Sequence, residues 1–180
     1  MSRIAALDPT QAEGKTRELL DAVNKVLGAT PNLFRVAARA PSALDGLVGL
    51  VVAASHGKLP ATVRQSIAMT VAQTNGCDYC LSAHTVLGRR AGLSDQDMTA
   101  ARGAEATDAK TTAILRFART LVSERGRVGE AGLSTLRAAG VDDGEALEVV
   151  ANVVLNIFTN YINLVAETDI DFPVVRAARS

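Results

Sequence analysis

The sequence predicts an all-α fold in one domain, and three observations carry that prediction. Apolar residues recur at three- and four-residue spacings through most of the chain, the repeat of an amphipathic helix. No alternating apolar–polar run bounded by turn residues is present to suggest a strand. Hydrophobic residues make up 48% of the chain but aromatics only 3%, with no Trp, so aliphatic and alanine-rich helix packing has to supply the core. The length, 180 residues, suits one domain, read here as spanning residues 1–180 without repeat, linker or low-complexity tract.

Turn and cap residues divide the chain into nine helices. Asp8-Pro9 opens the first, with Leu19, Leu20, Val23, Val26 and Leu27 as its apolar face and Gly28 as its stop. Thr30-Pro31 starts a short second helix, and Pro41-Ser42 a third that runs to about His56-Gly57. Pro60, at a first-turn position, begins a fourth over 61–74, with Val63, Ile67, Val71 and Thr74 on one face. Asn75-Gly76 breaks it. Cys77 begins a fifth, which Gly92 terminates. Ser94, with Asp97 three residues on, caps a sixth. Asp108 begins a seventh that ends at Gly126, and residues 128–139 form an eighth. The last runs from Asp142 to about Thr168, with Asp142 and Asp143 as caps and Glu145 and Glu148 near its positive end.

Charge and composition narrow the classes of function. Nineteen basic residues balance nineteen acidic ones without a Lys/Arg run, which argues against nucleic acid or an anionic membrane as partner. The N-terminal segment shows no apolar signal-like region, and the apolar stretch at 149–158, interrupted by Asn152 and Asn156, reads as too short and too polar for a membrane span. A cytoplasmic, reducing location is the expectation. The only two cysteines, Cys77 and Cys80, are three residues apart, so a disulfide between them would close almost no loop and would not persist in that compartment as a structural bond. Their spacing points to chemistry.

The segment Asn75-Gly76-Cys77-Asp78-Tyr79-Cys80-Leu81-Ser82-Ala83-His84 carries that chemistry. At the first turn of a helix, free N–H groups and the positive dipole end favour a thiolate at Cys77. Cys80 follows one turn later and His84 one turn after that, which sets all three on one helix face. A neutral imidazole there can take a thiol proton, and an imidazolium can hold a thiolate. Two other readings stand beside the redox one. The cysteines can be small buried hydrophobes with an ordinary helix histidine. Alternatively the trio can supply three soft metal ligands, although no second CxxC or HxxxH completes a tetrahedral set and His56, the one other histidine, precedes a different helix.

The run Leu59-Pro60 … Arg64-Gln65 … Ala72 … Asn75-Gly76-Cys77-Asp78-Tyr79-Cys80 … Ala83-His84 resembles the core signature of the AhpD-like (alkylhydroperoxidase D) group in the carboxymuconolactone decarboxylase superfamily. Thr30-Pro31-Asn32-Leu33-Phe34 resembles that group's VPNLF opening. Asn160-Tyr161-Ile162-Asn163 with Asp171-Phe172-Pro173 resembles the closing segment of its peroxidase-related branch. The resemblance implies an AhpD-like helical bundle with its CxxC redox core at about 58–105, a homo-oligomer (trimer or hexamer), and no cofactor or metal. It implies a thiol-dependent peroxidase or dithiol oxidoreductase, with a peroxide as substrate and a dithiol as reductant. Carried over, Cys80 is the peroxidatic thiol, Cys77 the resolving thiol and His84 part of the proton relay. This competes with the dipole argument for Cys77. Two positions depart from the family pattern. Gln65, twelve residues before Cys77, stands where a Glu is usual, and an amide can orient a proton carrier but cannot carry the proton. Tyr79 stands between the cysteines, where relatives have His. The superfamily also contains lactone decarboxylases, which lack the cysteine pair, and a non-enzymatic redox-sensing oligomer is the third alternative.

Asn152, Asn156, Asn160 and Asn163 recur at steps of four, four and three on one face of the last helix, among aliphatic residues. A helix this apolar is expected to be largely enclosed, so the Asn face needs partners. Neighbouring backbone, a subunit interface and the wall of the thiol pocket are the three candidates.

Overall fold

A computed structural model describes residues 2–178 and, among them, nine α-helices and no strand. They are α1 (Gly14–Leu27), α2 (Asn32–Ala37), α3 (Pro41–Ser55), α4 (Ala61–Thr74), α5 (Asp78–Ala91), α6 (Asp95–Arg102), α7 (Ala109–Ser123), α8 (Gly129–Ala138) and α9 (Asp143–Ala166). The caps act as the sequence indicates. Gly28 and Gly92 end α1 and α5 in the left-handed conformation, at φ 74° and 101°. Ser94 with Asp97, and Asp142 with Glu145, form reciprocal capping boxes for α6 and α9. The first helix is shorter than expected. Asp8 caps only a three-residue 3₁₀ turn, Pro9–Gln11, and the extended backbone at Ala12 and Glu13 delays α1 to Gly14. Val26, expected on its buried face, is 82% exposed.

The centre of the fold is α4, which packs against α5, α6, α7 and α9. Its apolar face is wider than the periodicity suggested. Residues 66–72 are all buried, whereas Val63 is half-buried and Thr74 exposed, because neighbours cover the middle of the helix on every side. Thr70, one of the two polar residues in that stretch, donates from Oγ1 to Ala101 O of α6 at 2.6 Å. Gly76, at φ 67°, makes the sharp turn that folds α5 back along α4. Gly88 lets the hairpin close tightly, since a Cβ there would stand 2.8 Å from Met69 Cε. At the far end of α4, Glu148 of α9 accepts the backbone N–H groups of Lys58 and Leu59 at 3.0 Å, fixing the loop that leads into the helix.

Helix α9 differs from its expected form in two respects. The apolar stretch is part of a 24-residue helix that, by length and composition alone, could cross a membrane. Nor is it enclosed: 44% of its most apolar stretch is buried, and Leu147, Val154, Tyr161, Leu164 and Val165 are exposed. The face turned inward is the asparagine face. After α9, residues 167–178 run without helix across the first turn of α5, where Asp78 accepts from Arg176 Nη1 at 2.7 Å and Ala177 N at 2.8 Å. Ser82 Oγ, on the next turn, accepts from Val175 N at 2.9 Å.

Candidate functional site

Cys77 is the N-cap of α5 rather than a residue of its first turn. Its sulfur accepts a hydrogen bond from Cys80 N at 3.4 Å, and its thiol donates to Cys80 Sγ at 2.7 Å. Both thiols are free and buried. Their environments differ. The hydrogen bond to Cys80 and burial hold the Cys77 thiol far above its ordinary range. Burial also pushes Cys80 up, but the Cys77 thiol and the side chains of Asn163, Asn160 and Thr159 outweigh it and leave Cys80 below the ordinary thiol value. The hydrogen bonds run against a thiolate at Cys77 and toward one at Cys80: the Cys77 thiol donates to Cys80 Sγ, and Asn163 Nδ2 of α9 is aimed at the same sulfur.

Asn163 Nδ2 donates to Cys80 Sγ at 3.3 Å. Asn160, fully buried, accepts from Asn75 Nδ2 at 2.9 Å, while its own amide nitrogen has no bonded partner among the described residues. Asn152 and Asn156 donate to the carbonyls of Glu148 and Asn152, both at 2.8 Å. The stripe therefore combines two of the expected roles. Its first half bonds neighbouring backbone while facing the cavity, and its last residue, Asn163, bonds the Cys80 sulfur. All four are buried inside this chain, which removes the interface role.

His84 meets Gln65 across the α4–α5 hairpin, Nδ1 to Oε1, at 2.8 Å. The amide oxygen can only accept, so the proton sits on Nδ1 and the other ring nitrogen keeps its lone pair. Burial pushes the imidazole down to about 4, a hydrogen bond with the Asn156 side chain offsetting part of this, so the ring is neutral at pH 7. Tyr79 faces structure rather than sulfur. Its hydroxyl donates to Asp171 Oδ1 at 2.7 Å and accepts from Leu33 N at 3.0 Å, and its ring stands edge-on to Phe172 at 5.7 Å. Asp171 also accepts from Asn32 N at 2.8 Å, so the Asn32-Leu33-Phe34 and Asp171-Phe172 segments are tied together through Tyr79.

A cavity of about 320 Å³ opens onto this group. Cys80, His84, Gln65, Asn152, Asn156 and Thr159 give it its polar wall, and Leu33, Phe34, Leu87, Leu155 and Phe172 are among its apolar ones. Cys77 does not reach it. Among the described residues no three His, Cys, Asp or Glu side chains gather as a metal-ligating group, and His56 lies apart, bonding Val52 O. Of the residues the sequence singles out, the fold brings Cys77, Cys80, His84, Gln65 and the Asn stripe together. Thr159 on the cavity wall, the Asn75–Asn160 bond and the Tyr79–Asp171 strut are not expected from the sequence; the Asn75 and Tyr79 partners lie 46 to 92 residues away and leave no local pattern.

The all-α arrangement of the described residues, with a helical hairpin that bears the thiol pair at its turn, matches an AhpD-like fold. The model of the carboxymuconolactone decarboxylase family matches residues 38–124. The match falls on the part of the chain that holds α4, α5 and the thiol pair, and it is to that family that this part of the chain is similar. Among solved structures it is similar to an alkylhydroperoxidase AhpD core, an uncharacterized peroxidase-related protein from Ralstonia eutropha JMP134, with a TM-score of 0.85 and 21% identity over 94% of this chain and 92% of that one. A peroxidase-related protein from Silicibacter sp. TM1040 gives 0.78 and 22%, covering 92% and 91%. A cysteine-to-alanine variant of the debrominase Bmp8, in complex with 2,3,4-tribromopyrrole, gives 0.80 and 19%, covering 93% and 91%. At these identities the likeness concerns the fold. No curated protein matches the chain.

Proposed function

We propose that the chain is a thiol-dependent peroxidase or dithiol oxidoreductase that cycles between the Cys77/Cys80 dithiol and their disulfide. The observation that carries this reading is the asymmetry of the pair: Cys80 alone lines the cavity, bears the hydrogen-bond donors, and has Cys77 2.7 Å behind it. Cys80 gives its proton to His84 and attacks the outer oxygen of a hydroperoxide. An S–O bond forms, the O–O bond breaks, and the alkoxide leaves as an alcohol with the proton returned by His84. Cys77 then attacks the Cys80 sulfenic acid, forming the S–S bond and releasing water. A carrier dithiol returns the pair to thiols by exchange and is itself oxidised to a disulfide.

Gln65 holds the imidazole by its Nδ1–H but cannot take the proton onward, so proton return depends on His84 and water. A ring with so low a pKa releases a proton readily, which suits a relay more than a store. The same reading puts the chain in a reducing cytoplasm, with neither nucleic acid nor membrane as partner. It also makes the chain a homo-oligomer, a trimer or hexamer. Leu147, Val154, Tyr161 and Val165, exposed at steps of seven, seven and four along α9, supply a seam for a second copy.

The test is chemical. Peroxide should convert two alkylatable thiols per chain into one intrachain disulfide, read by mass after alkylation, and a dithiol reductant should sustain turnover. Two thiols still alkylatable after prolonged exposure would end the redox reading. A lactone decarboxylase is the second reading, favoured by His84 and the arginines Arg64 and Arg90 around the same cavity. Decarboxylation that persists in Cys80→Ser would select it. A disulfide that forms once without turnover would select a redox sensor.

A further inference from the structure

Twenty-three residues line the cavity in front of Cys80, and their charge is one-sided: Arg64 and Arg90 are among them, and no Asp or Glu is. The chain as a whole has as many acids as bases, so this is a local choice. Arg64 spends one N–H on Leu59 O. Arg90, exposed in the last turn of α5, makes no hydrogen bond or ion pair among the described residues, although Arg89 beside it is paired with Asp95. The rest of the wall is mostly aliphatic and aromatic.

The positions along α5 give the arrangement a direction. Cys80 stands near the N-terminal end of the helix, His84 four residues on and Arg90 ten residues on. At 1.5 Å of rise per residue these lie about 6 and 15 Å from the Cys80 level. Arg64 adjoins Gln65, which meets His84, so it stands level with the middle of the cavity. Along α5 the Cys80 level and the Arg90 level are thus about 15 Å apart on the wall of one largely apolar cavity, with Arg64 beside the Gln65–His84 contact between them.

We infer that this cavity takes an amphipathic organic anion, an aliphatic carboxylate whose reacting group reaches Cys80 while its carboxylate pairs with Arg90 and Arg64. The spacing matches an extended chain of roughly five to twelve bonds, at ~1.25 Å of advance per C–C bond of ~1.5 Å. Guanidinium binds carboxylate through two parallel N–H···O bonds, which fixes the far end of the molecule and so aims the near end. Apolar walls bury the chain between them. Hydrogen peroxide and small neutral hydroperoxides would use only the Cys80 end. For the reacting group, and for nothing else, the inference rests on the peroxidase reading.

Octanoate and 1-octanol, which have the same chain length and differ in charge, test it without any peroxide. Each is titrated against the reduced full-length protein while the alkylation of Cys80 by iodoacetamide is followed by mass. Octanoate should protect Cys80 at about a tenfold lower concentration than octanol, a modest figure because Arg90 is exposed. Added salt should shrink the difference. In Arg90→Gln the two probes should protect almost equally, with octanol unchanged and the fold verified by circular dichroism. Equal protection in the unmodified protein, or an octanoate advantage that survives in both Arg90→Gln and Arg64→Gln, overturns the inference. The peroxidase reading fails separately. Selective octanoate protection with no peroxide-driven disulfide keeps the anion site and removes the peroxidase. Cumene hydroperoxide driving the disulfide with no preference for octanoate does the reverse.

Discussion

The inward face of α9 carries four buried asparagines, whereas its outward face carries Leu147, Val154, Tyr161 and Val165, 49–70% exposed. An ordinary surface helix has the opposite arrangement. The inversion is tolerable inside because most of the amide groups find partners: two bond the carbonyl four residues earlier, one bonds the Cys80 sulfur and one accepts from Asn75. Asn160 Nδ2 and Asn163 Oδ1 stay without partners among the described residues, the kind of buried polar atom that folding alone does not favour. The difference between the faces teaches where each kind of chemistry is spent. Polarity is buried where it meets the Cys80 sulfur and the cavity, and the apolar side is the one a second copy would cover if the proposed oligomer forms.

The largest expected effect is on the inner side. Cys80→Ser should abolish peroxide turnover, since an alcohol gives no comparable nucleophile at neutral pH. Cys77→Ser should leave one oxidation event that stops at the Cys80 sulfenic acid, trapped by dimedone. Equal residual turnover in both variants would erase the asymmetry on which the mechanism depends.

Next in size is Gln65→Glu. General acid–base assistance is typically worth about 10²–10⁴-fold, so a partly restored relay should raise turnover by roughly tenfold or more. The gain should vanish in His84→Ala if the two act together. Because the substitution also risks burying an unpaired charge, a thermal melt should precede the assay. A well-folded Gln65→Glu protein with an unchanged rate makes Gln65 a bystander.

Asn163→Ala removes the direct N–H···S bond of the inner face. Hydrogen bonds to charged groups contribute about 1.5–3 kcal/mol, so the Cys80 pKa should rise by one to two units, measured from the pH dependence of alkylation. His84 has its own signature. Its folded-state pKa is lowered to about 4 against an unfolded value near 6.5, so the native state binds the proton less tightly. Its stability contribution is intact above pH 6.5 and is lost as the pH falls toward 4, by up to about 3 kcal/mol. Denaturant titrations at pH 7 and pH 4.5 should show this loss in the native sequence and a smaller one in His84→Gln.

The smallest effect on the thiol belongs to the outer face. Val154→Lys with Tyr161→Lys should dissociate the proposed oligomer in light scattering and leave the Cys80 pKa where it was. A monomeric parent protein at micromolar concentration would remove the contrast between the two faces.

Much of this was legible before any coordinate. Helix boundaries were readable because they are set within a few residues by Pro, Gly and acidic caps; Asp142 with Glu145 and Ser94 with Asp97 are complete signals. The Cys77, Cys80 and His84 face followed from the helical repeat alone, and Gln65 stood out through the resemblance. The tertiary structure decided what local pattern cannot. It holds the Cys80 thiol below its ordinary range through hydrogen bonds that include Asn163 of α9, 83 residues away. It placed Gln65 on His84 by folding α5 back along α4. It also turned the polar side of α9 inward. Periodicity tells which residues share a face but not which way that face looks, and the direction is set by what the other helices bring to meet it.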